Sequence, residues 1–418
     1  MPVELILFDL DDTLLRTGDL EGFRGREFLN RQSPEYVQRL TAQFGMLPGR
    51  IIYPEAQLRA LQQRYGGARL GVFTRSPRHY AETLLGLAYP NIEWVTLVAF
   101  ECVTHTKPSG EGVLLAMNVA GVASPQNVWL VGDGRSDVLA AYDAGCRCVL
   151  DQTTWPNPRR GDDWEALKRM PDAIIHSPAD LPAVFDCPMD FLPVAERLQE
   201  LDGWAANNVP FRFEKCGYFN ALVERGRPIQ IHALGRHFSR DARLRVAWHP
   251  VTNDIHLMKD LLVVPDYWIQ AMRRFVRNVV VSNFPMIAFG VGALVVTVVP
   301  AKPGRVGRLE AMLAQLAASH EETAISNGTI EFLPGILQYA PGALSHHGNG
   351  GLNREQRFIN VRDNLMALPE SGFAGKHVVV IDDVVTTGAS LIYAEIRLRE
   401  AGASGVTLLA LTKNIGNR

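Results

Sequence analysis

The chain has 418 residues, more than one hydrophobic core usually supports, so two domains or three are expected. Its 47% hydrophobic and 21% charged residues are the balance of an ordinary globular protein. A formal net charge of -2 argues against a general nucleic-acid binder, while leaving room for a local basic patch that meets an anionic ligand.

Five cysteines (Cys102, Cys146, Cys148, Cys187 and Cys216) form no CxxC pair and show no framework spacing. Cys146-Arg147-Cys148 has no second Cys or His pair at a metal-ligand interval, so reduced, mostly buried thiols of a cytoplasmic protein are expected. The opening Met-Pro-Val-Glu carries no basic stretch followed by an apolar one, as a secretory signal would. Residues 278–300 are apolar enough to suggest a membrane span, but Asn283, Pro285, Gly290 and Gly292 interrupt them. Their last stretch, 293–299, reads as a buried parallel strand, and no membrane partner is expected.

In chain order, residues 3–8 are a short apolar run followed at once by acidic residues. Similar runs recur at 69–73, 127–131 and 147–150, separated by helix-like stretches such as 54–65 and 79–87. Strands alternating with helices predict a parallel sheet wound on both faces, with ligands at the carboxyl ends of the strands. Pro182, Pro188 and Pro193 then punctuate a segment that reads as a linker. A second α/β pattern follows late: strand 293–299, helix 308–320, strand 378–381, helix 389–401 and strand 405–411. Residues 195–290 fit neither half cleanly and are rich in aromatics: Trp204, Phe211, Phe213, Tyr218, Phe219, Trp248, Tyr267 and Trp268. They read as a core or packed accessory subdomain, or as a lid that stacks on a planar base. The expected division is a domain at 1–180, a linker at 181–194 and a second domain at 195–418, split into an accessory part (195–290) and a core (291–418). The expected fold class is α/β, with two doubly wound parallel-sheet domains.

Phe8-Asp9-Leu10-Asp11-Asp12-Thr13 follows the first strand directly. Two carboxylates at i and i+2, where a strand opens into a loop, can face one site. The first can attack phosphorus; the second can protonate the leaving oxygen and later deprotonate water. Anions attacking a phosphate dianion need a cation, and Gly132-Asp133-Gly134-Arg135-Ser136-Asp137 supplies oxygen ligands suited to Mg2+ after another strand. Thr74, at the end of the run 69–73, offers a hydroxyl and an amide to phosphoryl oxygens. Lys107, in Thr106-Lys107-Pro108, offers a fixed positive charge. Alone, each signal has a bland reading as a cap, a turn or a surface lysine.

In this order, the four signals resemble the haloacid dehalogenase superfamily of phosphohydrolases over residues 1–180. The resemblance implies a Rossmann-like domain with Asp9 as nucleophile, Asp11 as general acid/base, and Thr74 and Lys107 holding the phosphoryl group. It also implies an acidic Mg2+ set of Asp9, Asp11, Asp133 and Asp137. Residues 16–69 leave room for only a few helices, which looks like a reduced cap over an open site.

In the second half, an apolar strand delivers Asp382 and Asp383, then Thr386-Thr387-Gly388-Ala389-Ser390 opens a helix. Backbone amides at a helix N-terminus, with hydroxyls beside them, form an anion cradle, and adjacent acids accept hydrogen bonds from vicinal hydroxyls. Together these features describe a ribose 5-phosphate. The string resembles the phosphoribosyl pyrophosphate (PRPP) motif of type I phosphoribosyltransferases, closest to the ComF-like subgroup but without that subgroup's zinc-binding cysteines. The resemblance implies a pyrophosphate loop with Lys302 and Arg305, and a flexible loop with Arg354, Arg357 and Arg362, preceded by the loop-like 346–351. Two functions are expected from the fusion: Mg2+-dependent phosphomonoester hydrolysis and PRPP-dependent phosphoribosyl transfer, within nucleotide metabolism. The alternative is a phosphatase regulated by a non-catalytic domain that senses PRPP or a nucleotide. The expected partners are a small-molecule phosphoester and PRPP or a nucleotide, and no nucleic acid.

Overall fold

A computed structural model describes residues 2–25, 32–200, 212, 214–258, 261–283, 293–321, 329–344 and 352–416. The chain divides into two units. Unit 1 is 1–192 with 238–249 and 415–418; unit 2 is 193–237 with 250–414.

Unit 1 holds six strands: β1 (Leu5–Phe8), β2 (Arg69–Phe73), β3 (Thr96–Val98), β4 (Val128–Gly132), β5 (Arg147–Asp151) and β6 (Ala173–Ile175). All are parallel, in the order β3-β2-β1-β4-β5-β6. β1 and β4 are buried along their whole length because helices cover both faces of the sheet. The strand order reverses between β1 and β4, and at such a switch point the loops of neighbouring strands part to leave a crevice. The runs expected as strands at 69–73, 127–131 and 147–150 match β2, β4 and β5 to within a residue. β3 and β6 were not anticipated, since three residues each are too few to show a period.

Unit 2 holds β7 (Glu214–Tyr218), β8 (Ile229–Phe238), β9 (Ala293–Val298), β10 (Thr329–Phe332), β11 (Leu337–Tyr339), β12 (Leu365–Ala367), β13 (His377–Val385) and β14 (Gly405–Ile415). Its main sheet runs β10-β9-β13-β14-β8-β7, with β10, β9, β13 and β14 parallel and β7 antiparallel to β8. The two faces carry separate apolar clusters, one built on the helix Asp266–Asn283 and one on the helix Ala389–Glu400. Trp268 is fully buried in the first cluster, so the core reading holds for that aromatic. Trp204, Phe211, Phe213 and the loop 346–351 lie outside the described residues, as do Pro285, Gly290 and Gly292 of the apolar stretch. Among the described residues no helix is long and apolar enough to cross a membrane.

Two features differ from the expected division. The stretch 181–194 is folded rather than a free linker. Its helix Leu181–Asp186 buries Leu181, Val184 and Phe185 in the core of unit 1, and Pro182 and Pro188 sit in the first turns of helical segments. Proline is accommodated there because the first amide of a helix has no partner to lose.

Residues 238–249, expected within the second domain, also belong to unit 1. Arg245 is their fastener. It is fully buried, forms a two-pronged ion pair with Asp172, and donates from Nη1 to the Cys146 carbonyl at 2.8 Å. Its guanidinium stacks 4.1 Å from the Trp248 ring centroid, and the Trp248 indole donates to the Gly145 carbonyl at 2.8 Å. Asp172 also accepts from the Cys148 amide, so each charge is hydrogen-bonded on several sides, as a buried pair must be. Arg245→Ala leaves Asp172 buried without its partner and should destabilise unit 1 by about 3–5 kcal/mol in urea titrations. Combining Arg245→Met with Asp172→Leu should recover most of that loss, because neither charge is then left buried alone.

Candidate functional site

Asp9 leaves the end of β1 with its amide bonded to the Val131 carbonyl of β4, which places its carboxylate over the switch point. Asp133 leaves the neighbouring strand β4 directly. Asp137 returns from the first turn of the helix Arg135–Asp143, where its Oδ2 accepts from the Gly134 amide at 3.1 Å. Oxygens of Asp9, Asp133 and Asp137 all lie within 4.8 Å of one another. Between them stands Lys107, whose side chain is fully buried, with Nζ 2.8 Å from Asp9 Oδ1 and 2.6 Å from Asp137 Oδ1. A Cβ on Gly132 would collide with the Asp137 carboxyl carbon, so only glycine lets that carboxylate close on the strand end.

The electrostatics follow from this crowding. Burial pushes the Asp9 carboxyl up to about 7 against the pull of Lys107, with Asp137 and Asp11 adding to the rise. Burial raises Asp133 well above the usual carboxylate range, and Asp137 and Asp9 raise it further. Burial alone would push Lys107 down, but Asp137 and Asp9 hold it above its ordinary value. Two of the three carboxylates pair with the one ammonium, and among the described residues the Asp133 side chain has no ion pair or hydrogen bond. This all-oxygen donor set with excess negative charge fits a hard divalent cation such as Mg2+.

Asp11 stands apart from the trio. Ser76 Oγ donates to its Oδ2 at 2.5 Å, Tyr80 OH to its Oδ1 at 3.2 Å, and Arg24 Nη1 lies 3.4 Å from Oδ2. The acidic set is therefore Asp9, Asp133 and Asp137, with the Asp11 carboxylate turned to a separate cage. The reason lies in the turn. Asp12 adopts a left-handed conformation (φ 56°), and its carbonyl and carboxylate are held by Thr154 Oγ1 and the Thr17 amide. Thr74 is buried at the end of β2, its Oγ1 accepting from the Ser76 amide and lying 3.4 Å from Asp11. Ser76, Tyr80, Arg24 and Thr154 were not anticipated. Only Ser76, two residues after Thr74, had any cue in the sequence.

In unit 2, β13 delivers Asp382 and Asp383, and the turn 386–388 leads into the helix Ala389–Glu400. These residues, with Lys302, Arg357 and Tyr339, line a cavity of about 230 Å³. Gly388 has φ 80°, and a Cβ there would lie 3.1 Å from the Tyr218 ring, so backbone and packing both require glycine. Burial pushes Asp382 up to about 7 against Arg308 and Lys302. Burial lowers Lys302 to about 8, opposed by Asp382 and reinforced by Arg357. Arg308, not anticipated, ion-pairs directly with Asp383.

The arginines expected on a flexible loop stand instead on the helix Arg354–Asn364, started by a reciprocal cap between Asn353 and Gln356. Of the three, Arg357 lines the cavity; Arg354 donates to the Phe219 carbonyl and Arg362 pairs with Asp363. Arg305 is not among the lining residues either.

The family of haloacid dehalogenase-like hydrolases matches residues 18–145, a range that includes Thr74, Lys107, Asp133 and Asp137 and begins after Asp9 and Asp11. A plasmid phosphoglycolate phosphatase of Cupriavidus necator is 31% identical over 171 residues, covering 37% of this chain and 73% of that protein. The chain belongs to the haloacid dehalogenase-like hydrolases. A phosphoglycolate phosphatase of Xanthomonas campestris is 30% identical over 152 residues, 35% of this chain and 64% of its own length. The chain spans 39% of the length of a Pseudomonas putida relative that is 34% identical over 101 residues. The crystal structure of a predicted phosphoglycolate phosphatase from Haemophilus somnus 129pt covers 44% of this chain and 99% of its own at 19% identity, with a TM-score of 0.35.

Because the Asp9 carboxyl must ionise to meet a cation, uptake of Mg2+ should release a proton, and affinity measured by calorimetry should rise as pH increases through about 7. Gly132→Ala should weaken Mg2+ binding about tenfold or more, since Asp137 has to withdraw from the added methyl.

Proposed function

We propose that unit 1 is a Mg2+-dependent phosphomonoesterase working through an aspartyl-phosphate, and that unit 2 binds PRPP and transfers its phosphoribosyl group. The observation that carries the first half is the placement of Asp9 at the strand-order reversal, with Lys107 Nζ at 2.8 Å and oxygens of two further carboxylates within 4.8 Å. Asp9 attacks phosphorus as the bond to the leaving oxygen breaks, and Asp11 supplies the proton that oxygen takes. Water then attacks the aspartyl-phosphate, giving up a proton to Asp11 and returning Asp9 with release of phosphate. Ser76, Tyr80 and Arg24 orient Asp11 for both transfers. Asp9, Asp133 and Asp137 would hold the Mg2+, which supplies charge neutralisation at the phosphoryl oxygens. Lys107 and Thr74 bind the same oxygens.

For unit 2, the cavity lined by Lys302, Arg357, Asp382 and the turn 386–390 supports the PRPP reading. Amides of the turn receive the 5-phosphate, the two acids the ribose hydroxyls, and Lys302 the pyrophosphate. The alternative is a domain that senses PRPP or a nucleotide without catalysis; in either case the Arg308–Asp383 ion pair must open for a diol to reach Asp383. Pyrophosphate exchange separates the two: a transferase exchanges label, whereas a sensor binds PRPP without exchange. The two units together form a bifunctional enzyme of nucleotide metabolism.

Asp9→Asn should reduce phosphate release by about a thousandfold or more while PRPP still binds; surviving hydrolysis would remove Asp9 as the nucleophile. Asp383→Asn should weaken PRPP binding about tenfold to a hundredfold, read by calorimetry, with phosphate release unchanged.

A further inference from the structure

The loops after β1, β2 and β4 carry Asp9, Thr74 and Asp133; the loop after β5 supplies Thr154 to the turn at Asp12. It is stitched to the same site. Thr154 Oγ1 donates to the Asp12 carbonyl at 2.7 Å, and the Trp155 indole donates to the Asp133 carbonyl at 2.8 Å. A few residues on, the Arg159 guanidinium lies 5.4 Å from the Trp155 ring centroid and 5.3 Å from that of Trp164. One of its N–H groups reaches Gln152 Oε1 at 3.3 Å, and no carboxylate pairs with it among the described residues. Trp164 is 53% exposed, so the guanidinium against it is open to solvent on that side.

A second observation comes from the loop after β4. Arg135 follows Asp133 by two residues; its Nε is buried without a hydrogen-bond partner, and no carboxylate pairs with it among the described residues. Lys168, Arg169 and Arg135 all act on the one carboxylate of Glu165. Burial, and then the charge of Arg135, hold Arg169 below its ordinary value. A guanidinium held by two indoles loses little freedom on binding, and its remaining donors form a rigid fork for carboxylate or phosphate.

We propose that the segment after β5, with Arg159 gripped by Trp155 and Trp164, forms together with Arg135 of the loop after β4 the leaving-group subsite of unit 1 and selects phosphomonoesters whose leaving group carries a second phosphate. This rests on the phosphatase reading above. The phosphoryl group to be removed sits at Asp9 and Lys107, the second phosphate meets Arg159 and Arg135, and the sugar spans them.

The test compares ribose 1,5-bisphosphate with ribose 5-phosphate, each as a substrate or as a competitive inhibitor of p-nitrophenyl phosphate turnover, so that KM or Ki is read in every case. The wild type should prefer the bisphosphate by about tenfold or more through KM or Ki. Arg159→Met should cut that ratio to within about threefold, Arg159→Lys should retain part of it, and Arg135→Met should lower it independently. Equal affinity for the two sugars in the wild type overturns the subsite, as does a ratio that survives both methionine variants. Thermal unfolding midpoints show whether each variant is folded. If the wild type fails to turn over p-nitrophenyl phosphate at all, the phosphatase reading falls and the subsite with it; turnover without discrimination removes the subsite alone.

Discussion

Everything in unit 1 is arranged around one buried ammonium. Lys107 reaches Asp9 on one side and Asp137 on the other, with its side chain withdrawn from solvent. A lone lysine in that position would be driven neutral, and lone carboxylates would be driven to take up protons. Each is held in place by the other, and the number of acids still exceeds the number of cations. That imbalance destabilises the cluster and leaves a net negative charge that a divalent ion would offset. The Phe73 ring, 4.9 Å from Nζ, closes the remaining side.

The sheet order makes this cluster possible. β1 and β4 are neighbours in space but lie far apart in sequence, and their loops diverge because the chain winds outward in opposite directions from them. Carboxylates at the two strand ends are thereby brought within reach of each other without crowding backbones. Glycine at 132 completes the approach, and the left-handed turn at Asp12 redirects the loop so that Asp11 faces Ser76 and Tyr80 instead of the other three acids.

Unit 2 repeats the logic with a different charge balance. Asp382 and Asp383 at the end of β13 are met by Lys302 and Arg308, so acids and bases are closer to parity than in unit 1. The segment 238–249, which follows β8 in the chain, belongs to unit 1, where Arg245 and Asp172 form its buried anchor.

Much of this was legible from the residues alone. The strand runs at 69–73 and 147–150, the acids at 9, 133 and 137, and the turn 386–390 are local patterns, set by runs of apolar side chains and by residues a few positions apart. Side-chain periodicity and turn chemistry act over such distances, so sequence alone determines them. What only the tertiary structure decided depends on residues far apart in the chain. Arg24, Ser76 and Tyr80 converge on Asp11; Arg308 faces Asp383; Arg354 and Arg362 turn away from the cavity that Arg357 lines. Pro182 and Pro188 read as linker punctuation in the sequence, whereas in the fold they start helical segments, the first of which buries Leu181, Val184 and Phe185. Which surface a segment packs against follows from the shape and charge of distant elements, and these are defined only once the chain has folded.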